Sequence, residues 1–152
     1  SNWRRPAPNT IPWDSKAAGL YMICTLSKHE AEKQGYSESL MLDHEGNVAE
    51  STSANVFFKD NNGELHTPVP DCFLDGITRR TVIEIAKSKN IKVHERKISP
   101  EELSDFEGCF LTGTAAEITP VSQIAENKYK VCDFILDLSS SYAKLVRKKK
   151  AA

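Results

Sequence analysis

Between residues 39 and 67 the chain reverses direction twice in quick succession, and these two reversals restrict its fold more than any other feature. His44-Glu45-Gly46-Asn47 and Asp60-Asn61-Asn62-Gly63 each combine a glycine with side chains that bond to the nearby backbone, the chemistry of a tight turn. Short extended runs flank them. Ser39-Leu40-Met41-Leu42-Asp43 precedes the first turn, and Val48-Ala49-Glu50 follows it. Ala54-Asn55-Val56-Phe57-Phe58-Lys59 precedes the second, and Glu64-Leu65-His66-Thr67 follows it. This half of the chain is therefore expected to form antiparallel β-hairpins.

Helical signals bracket the hairpins. Asp14 or Ser15 can cap a helix running through Lys16, Tyr21, Cys24 and Lys28 to Gln34, with Gly35 as its left-handed terminal residue, so Lys16 is expected in the first turn. Pro68-Val69-Pro70-Asp71 breaks the sheet. From about Thr78, the apolar residues Val82, Ile85 and Ala86 recur at helical spacing as far as Lys89. Residues 93–98 alternate as a strand, and Ser99-Pro100-Glu101-Glu102 is a capping box that starts a short helix. Cys109-Phe110-Leu111-Thr112 reads as a buried strand leading into the small-residue turn Gly113-Thr114-Ala115-Ala116. Phe134, Leu138, Tyr142 and Leu145 or Val146 mark the inner stripe of a last helix, whose basic end complements the helix dipole. The pattern is an α+β mixture in one unit over residues 14–152, with no internal repeat. Ahead of it, residues 1–13 form a Pro-rich extended segment that reads like the middle of a chain.

Composition narrows the function classes. In 152 residues, 20 Lys and Arg against 21 Asp and Glu leave a formal net charge of −1. Phosphate contact demands a basic face, and the one basic run, Arg147 to Lys150, reads as a solvated tail, so no nucleic-acid partner is expected. No apolar stretch approaches the roughly 18 residues of a membrane span. The start lacks the apolar region of a signal peptide, and a cytoplasmic location follows as the expectation. Cys24, Cys72, Cys109 and Cys132 are widely spaced among apolar neighbours and read as buried reduced thiols rather than zinc ligands or disulfides. His29, His44, His66 and His94 are scattered and are expected on the surface, so no metal site is suggested.

Three clusters can carry chemistry. Lys16 lies beside Ala17, Ala18 and Gly19, with Tyr21 following, and a lysine held in a confined pocket can act as a nucleophile or Schiff-base former. Glu50-Ser51-Thr52-Ser53-Ala54-Asn55 sits where one strand hands over to the next, so a carboxylate there can hold a cationic ring nitrogen while Asn55 fixes the loop. Leu74-Asp75-Gly76-Ile77-Thr78-Arg79 at a helix start and Thr112-Gly113-Thr114-Ala115-Ala116 after a strand are two turns suited to anions. Together the clusters suggest pyridoxal phosphate.

The pattern Glu50-x-Thr52-x-x-Asn55-Val56-Phe57, then Leu65-x-Thr67, then Leu74-x-Gly76-Ile77-x-Arg79, resembles the signature of the class IV aminotransferases. Two flanking blocks resemble the branched-chain amino-acid aminotransferase subgroup: Pro8-Asn9-Thr10-Ile11-Pro12 to Lys16-Ala17-Ala18-Gly19-Leu20-Tyr21, and Thr112-Gly113-Thr114-Ala115-Ala116-Glu117-Ile118-Thr119-Pro120. The likeness thins after about Lys130. It implies the larger, pseudo-barrel domain of the D-amino-acid and branched-chain aminotransferase fold, with pyridoxal 5'-phosphate as cofactor. Lys16 then takes the place of the lysine that forms the internal aldimine and shuttles the proton. Tyr21 matches the tyrosine at the cofactor's phenolic oxygen, and Glu50 matches the glutamate at the pyridinium nitrogen. Leu74 lies against the ring in this reading, and Ile77, Thr78 and Thr114 hold the phosphate. Ser53, Asn55 and Gly76 complete the implied cofactor contacts, while Thr114, Ala115 and Ala116 face the substrate carboxylate.

The implied reaction is ping-pong transamination between leucine, isoleucine or valine and 2-oxoglutarate. D-amino-acid aminotransferases and aminodeoxychorismate lyases share the cofactor site, and a fragment that binds cofactor without turnover is a further alternative. Members of the family carry a smaller N-terminal domain ahead of this block, which supplies a phosphate-binding arginine and part of the substrate pocket, partly across a dimer interface. The resemblance thus implies a partial enzyme and a homodimer.

Overall fold

A computed structural model describes residues 1–147 of the chain. A 3-10 turn over Ala18–Tyr21 leads into α1 (Met22–Lys33). The first hairpin is β1 (Leu40–Leu42) and β2 (Val48–Ser51), followed by β3 (Asn55–Lys59) and β4 (Leu65–Thr67). Then come α2 (Ile77–Ser88), β5 (Val93–Glu95), a 3-10 turn over Pro100–Asp105, and β6 (Gly108–Gly113). The chain continues through β7 (Glu117–Val121), the small hairpin β8 (Gln123–Ile124) and β9 (Asn127–Lys128), and α3 (Asp133–Val146).

The α+β mixture and both hairpins agree with the sequence reading. β1 pairs antiparallel with β2, and β3 with β4. Gly46 and Gly63 adopt φ of 99° and 81° in the two turns, backbone that favours glycine. Five strands form the main sheet in the order β5-β4-β3-β6-β7. Only β4 and β5 are parallel, joined through α2. The strand expected over residues 93–98 stops at Glu95, because its pairing partner β4 ends at Thr67 and Pro68 follows with no amide to donate. The capping box at Ser99 is formed, but the turn it starts is 3-10 rather than α-helical.

Every residue of β3 is buried, since the sheet is covered on both faces. Alternation along the strands puts Asn55 and Phe57 on the same face as their partners Thr112 and Phe110, together with Ile118 of β7. Phe57 and Phe110 stack with ring centroids 5.1 Å apart and pack with Val82 and Ile83 of α2 and Ile135, Leu138 and Tyr142 of α3. On the other face, Val56, Phe58 and Cys109 pack with Val48, Ile98, Leu103, Phe106 and Tyr129. Each such side chain contributes about 1.5–3 kcal/mol on burial. The inner stripe of α3 is Ile135, Leu138 and Tyr142. Leu145 and Val146, expected in that stripe, are exposed, because this last turn runs past the core cluster.

Three further expectations are corrected. Lys16 is not in a helical turn: bonds from Trp13 to Ile11 and from Ser15 to Pro12 make non-helical turns, and Ala17 is extended. The helix begins only at Met22, with no side-chain cap at either Asp14 or Ser15. His66 and His94 are half-buried rather than on the surface, with rings stacked at 4.6 Å across the β4–β5 pair. Cys24, Cys72 and Cys109 are buried free thiols and Cys132 is half-buried. No helix among the described residues is long and apolar enough to cross a membrane, and Lys148 to Lys150 of the basic tail lie outside the described residues.

Candidate active site

One cleft of about 640 Å³, a size typical of small-molecule sites, opens at the end of the main sheet. Four stretches of chain line it. Lys16 comes from the irregular segment ahead of the 3-10 turn, Tyr21 from that turn, Cys24, Thr25 and Lys28 from α1, and Glu50 with Thr52 to Asn55 from the end of β2, the β2–β3 turn and the start of β3. Leu74 to Thr78 and Arg80 lead into and begin α2, and Thr112 to Thr114 end β6. Of the residues singled out from sequence, Lys16, Tyr21, Glu50, Ser53, Asn55, Leu74, Gly76, Ile77, Thr78 and Thr114 meet here. Ala115 and Ala116 lie in the following turn and are not part of this lining. Lys16 reaches the cleft from an exposed position, so the confinement expected of it is not met by this chain's own side chains.

Asn55 organises the floor. Its Nδ2 donates to Glu50 Oε2 at 3.3 Å and to the Leu74 carbonyl at 2.9 Å, while its Oδ1 accepts from the Gly76 amide at 3.2 Å. The β2–β3 turn and the approach to α2 are thereby pinned to one side chain. Gly76 is needed for the close approach: a Cβ there would sit 2.5 Å from Asn55 Oδ1. From the far side, buried Arg79 holds Asp75 at 2.8 Å, the Pro68 carbonyl at 3.0 Å and Glu95 at 2.7 Å, stapling the same approach to β5.

Glu50 is a buried carboxyl, and burial pushes its pKa up to about 8, with Arg5 pulling the other way. Arg5 Nε lies 3.5 Å from Glu50 Oε1, and the same side chain donates to the Cys72 carbonyl at 3.3 Å and the Leu20 carbonyl at 3.4 Å. Burial and the nearby Glu50 charge both raise Tyr21 above the usual phenol range, so its hydroxyl stays protonated and able to donate. Burial likewise raises the Cys24 thiol, leaving it inert.

Glu38 lies behind the cleft wall. It accepts from Thr52 Oγ1, from Ser53 Oγ at 2.7 Å and from Lys28 Nζ at 3.2 Å, tying α1 to the β2–β3 turn. Burial works to raise its pKa, but these bonds outweigh it and hold the carboxyl below the usual range. Ser53, expected to contact a cofactor, gives its hydroxyl to Glu38 here.

The mouth of α2 is built to receive an anion. Gly76 is its N-cap, no side chain caps it, and its first turn carries no acidic residue. Free N–H groups and the positive dipole end therefore face the cleft. Thr78 is buried there with its Oγ1 3.3 Å from the Tyr142 hydroxyl. Thr112 is buried with its Oγ1 unpartnered among the described residues. An uncapped helix end, an unpaired buried hydroxyl, a buried carboxyl and an accessible lysine in one cleft fit a ligand with an anionic tail and a basic ring nitrogen. Among the described residues no cluster of His, Cys, Asp or Glu has the arrangement of a metal site.

Sequence reasoning missed Arg5, Glu38 and Thr112 as individual site residues. Arg5 and Glu38 sit in segments with no motif around them, and only contacts far along the chain give them a role. Thr112 stood inside a block already noted, and its alternation with Phe110 on a strand was the available signal.

Comparison with known proteins adds the following. The family model described as amino-transferase class IV matches residues 1–124. A Rickettsia bellii protein named "Probable branched-chain-amino-acid aminotransferase" is 44% identical, aligned over 97% of this chain and 52% of its own. The branched-chain aminotransferase of the archaeon Thermoproteus uzoniensis, solved with norvaline, has a TM-score of 0.93 at 36% identity, covering 99% of this chain and 51% of the other. An aminotransferase from Brucella abortus, solved with the cofactor PLP, has a TM-score of 0.90 at 32% identity, covering 95% of this chain and 52% of the other. The chain spans about half the length of these relatives.

Proposed function

The chain belongs to the class IV amino-transferases, and from that premise we propose that its cleft binds pyridoxal 5'-phosphate and serves transamination of leucine, isoleucine or valine with 2-oxoglutarate. The observation that carries this reading is the convergence of Lys16, Tyr21, Glu50, Leu74, Ile77, Thr78 and Thr114, from four separate stretches of chain, on a single cleft. When bound, the cofactor supplies an electron sink for the α-carbon of the amino acid. The chain's own residues do the rest. Lys16 is the amine that would hold the cofactor at its carbonyl carbon, and the same amine would carry the proton at the substrate α-carbon. Glu50 meets the ring nitrogen, and its buried carboxyl, neutral over most of the range below pH 8, brings a proton to that contact. Tyr21 donates to the phenolic oxygen, and Leu74 lies against the ring face. The α2 amides, Thr78 and Thr114 hold the phosphate, while the Thr114, Ala115 and Ala116 turn faces the substrate carboxylate.

Residues 1–13 are, in this reading, the connection to a smaller domain of the full-length enzyme, which would work as a homodimer in the cytoplasm. The free cysteines support a reducing compartment. The exposed position of Lys16, which the described side chains do not confine, favours one alternative, a unit that binds cofactor without turnover.

The test is spectroscopic. Pyridoxal phosphate added to the chain is expected to give a borohydride-fixed label that maps to Lys16 and is lost in K16A. Equal labelling of K16A would refute the lysine assignment. Conversion of the adduct by leucine, and its return with 2-oxoglutarate, separates the transaminase from a binding-only unit.

A further inference from the structure

The threonines lining the cleft differ in what their hydroxyls already do. Thr25 donates to the Tyr21 carbonyl at 3.2 Å, Thr52 donates to Glu38, and Thr78 is paired with Tyr142 at 3.3 Å. Thr114 stands exposed on the turn after β6. Thr112 is different: it is 1% exposed, and its Oγ1 has no partner among the described residues. A buried hydroxyl left without a partner is costly, and native folds rarely keep one without a use for it.

Register shows where this hydroxyl sits. Thr112 opposes Asn55 on β3 and Ile118 on β7, so its side chain shares their face of the sheet, the face that α2 covers. Phe110, two residues earlier on the same face, is sealed in the apolar core. Thr112 is thus the last step of that face, where the core under α2 gives way to the cleft it lines with Gly76, Ile77 and Thr78. Asn55 cannot satisfy it as a donor, because both Nδ2 hydrogens are spent on Glu50 and Leu74. The uncapped start of α2, whose residues Gly76, Ile77 and Thr78 line the same cleft as Thr112, offers amides that are themselves donors awaiting an acceptor.

We propose that Thr112 is a ligand-contacting residue whose hydroxyl, left unpaired by the protein's own described groups, donates to the phosphate of a bound phosphate monoester, alongside the α2 amides. This rests on the cofactor reading above and adds a contact that the sequence resemblance did not include. In the unliganded chain the hydroxyl destabilises the fold slightly. On binding it gains a charged acceptor, so its effect appears in affinity for the phosphate-bearing ligand and not in affinity for the ring.

The experiment titrates the wild-type chain, T112V, T112A and T112S with pyridoxal phosphate and, in parallel, with pyridoxal, which lacks the phosphate, following adduct absorbance. T112V and T112A are expected to bind pyridoxal phosphate about tenfold or more weakly, the worth of one hydrogen bond to a charged group. Their affinity for pyridoxal should match wild type, and T112S should retain phosphate selectivity. The ligand-free T112V chain should melt at or above the wild-type temperature. Wild-type affinity for pyridoxal phosphate in T112V and T112A overturns the proposal, and so does an equal loss for both ligands. A wild-type chain that forms no adduct with either ligand refutes the cofactor reading itself, and the proposal falls with it.

Discussion

Replacing Glu50 with glutamine isolates one buried titration. In the folded chain burial lifts the carboxyl from its ordinary 4.5 to about 8, despite the opposing charge of Arg5. Between those two values the folded chain holds a proton that the unfolded chain has released. Stability from this group is therefore fully present below about pH 4.5, declines as pH rises, and is gone above about pH 8. At about 1.36 kcal/mol per pH unit the ceiling on this loss is about 5 kcal/mol, and relaxation around the Arg5–Glu50 pair reduces it to a few kcal/mol. Glutamine does not titrate. The two ligand-free chains should show a similar unfolding free energy near pH 5, and E50Q should lead by a few kcal/mol at pH 9. Urea unfolding at a series of pH values, followed by circular dichroism, reads this directly, because other titrations are common to both chains and cancel in the difference. A gap that stays constant from pH 5 to 9, or one that moves in favour of wild type, would show that Glu50 is not a desolvated acid.

Two further substitutions probe how the cleft is held. R5M removes the donor to the Cys72 and Leu20 carbonyls at every pH, at about 1–3 kcal/mol, and above pH 8, where Glu50 ionises, it also removes the facing charge, so the deficit should grow toward about 3–5 kcal/mol, the range for breaking one side of a buried ion pair. A deficit in urea unfolding that is no larger at pH 9 than at pH 6 would mean that Arg5 is not the counter-charge. G76A places a methyl 2.5 Å from Asn55 Oδ1 and must push that side chain aside, at about 1–3 kcal/mol. Because Asn55 also touches Glu50, G76A should weaken pyridoxal phosphate binding as well as lower the melting temperature, and an unchanged affinity would argue against Asn55 as the floor of the site.

What could be read in advance depended on whether the determinant was local. The turns at Gly46 and Gly63 need left-handed backbone, which glycine announces, so both hairpins were legible. The apolar period of α2 was legible too, although the buried pair is Val82 and Ile83 rather than Val82 and Ile85. β7 was not anticipated, because Pro120 in its midst argues against a strand; the structure accommodates it by making β7 the outer strand of the sheet. Asp14 and Ser15 are good caps and predict a helix around Lys16, yet the turns after Pro12 take those residues out of helical geometry. In the site, Glu50, Asn55 and Gly76 were visible as a motif, whereas the dependence of Glu50 on Arg5 arises only when residues distant in sequence pack together.

The pairing of β3 with β6 has a kinetic consequence. Asn55 and Thr112 face each other across that pair, and between them the chain must complete β4, α2, β5 and the Pro100–Asp105 turn. No local segment can build even half of the cleft by itself. Pairings of such long range impose a loop-closure cost before they return any contact energy, and they slow folding. Competence to bind should therefore emerge late and all at once, so the first appearance of ligand affinity during refolding would time the closure of the central sheet.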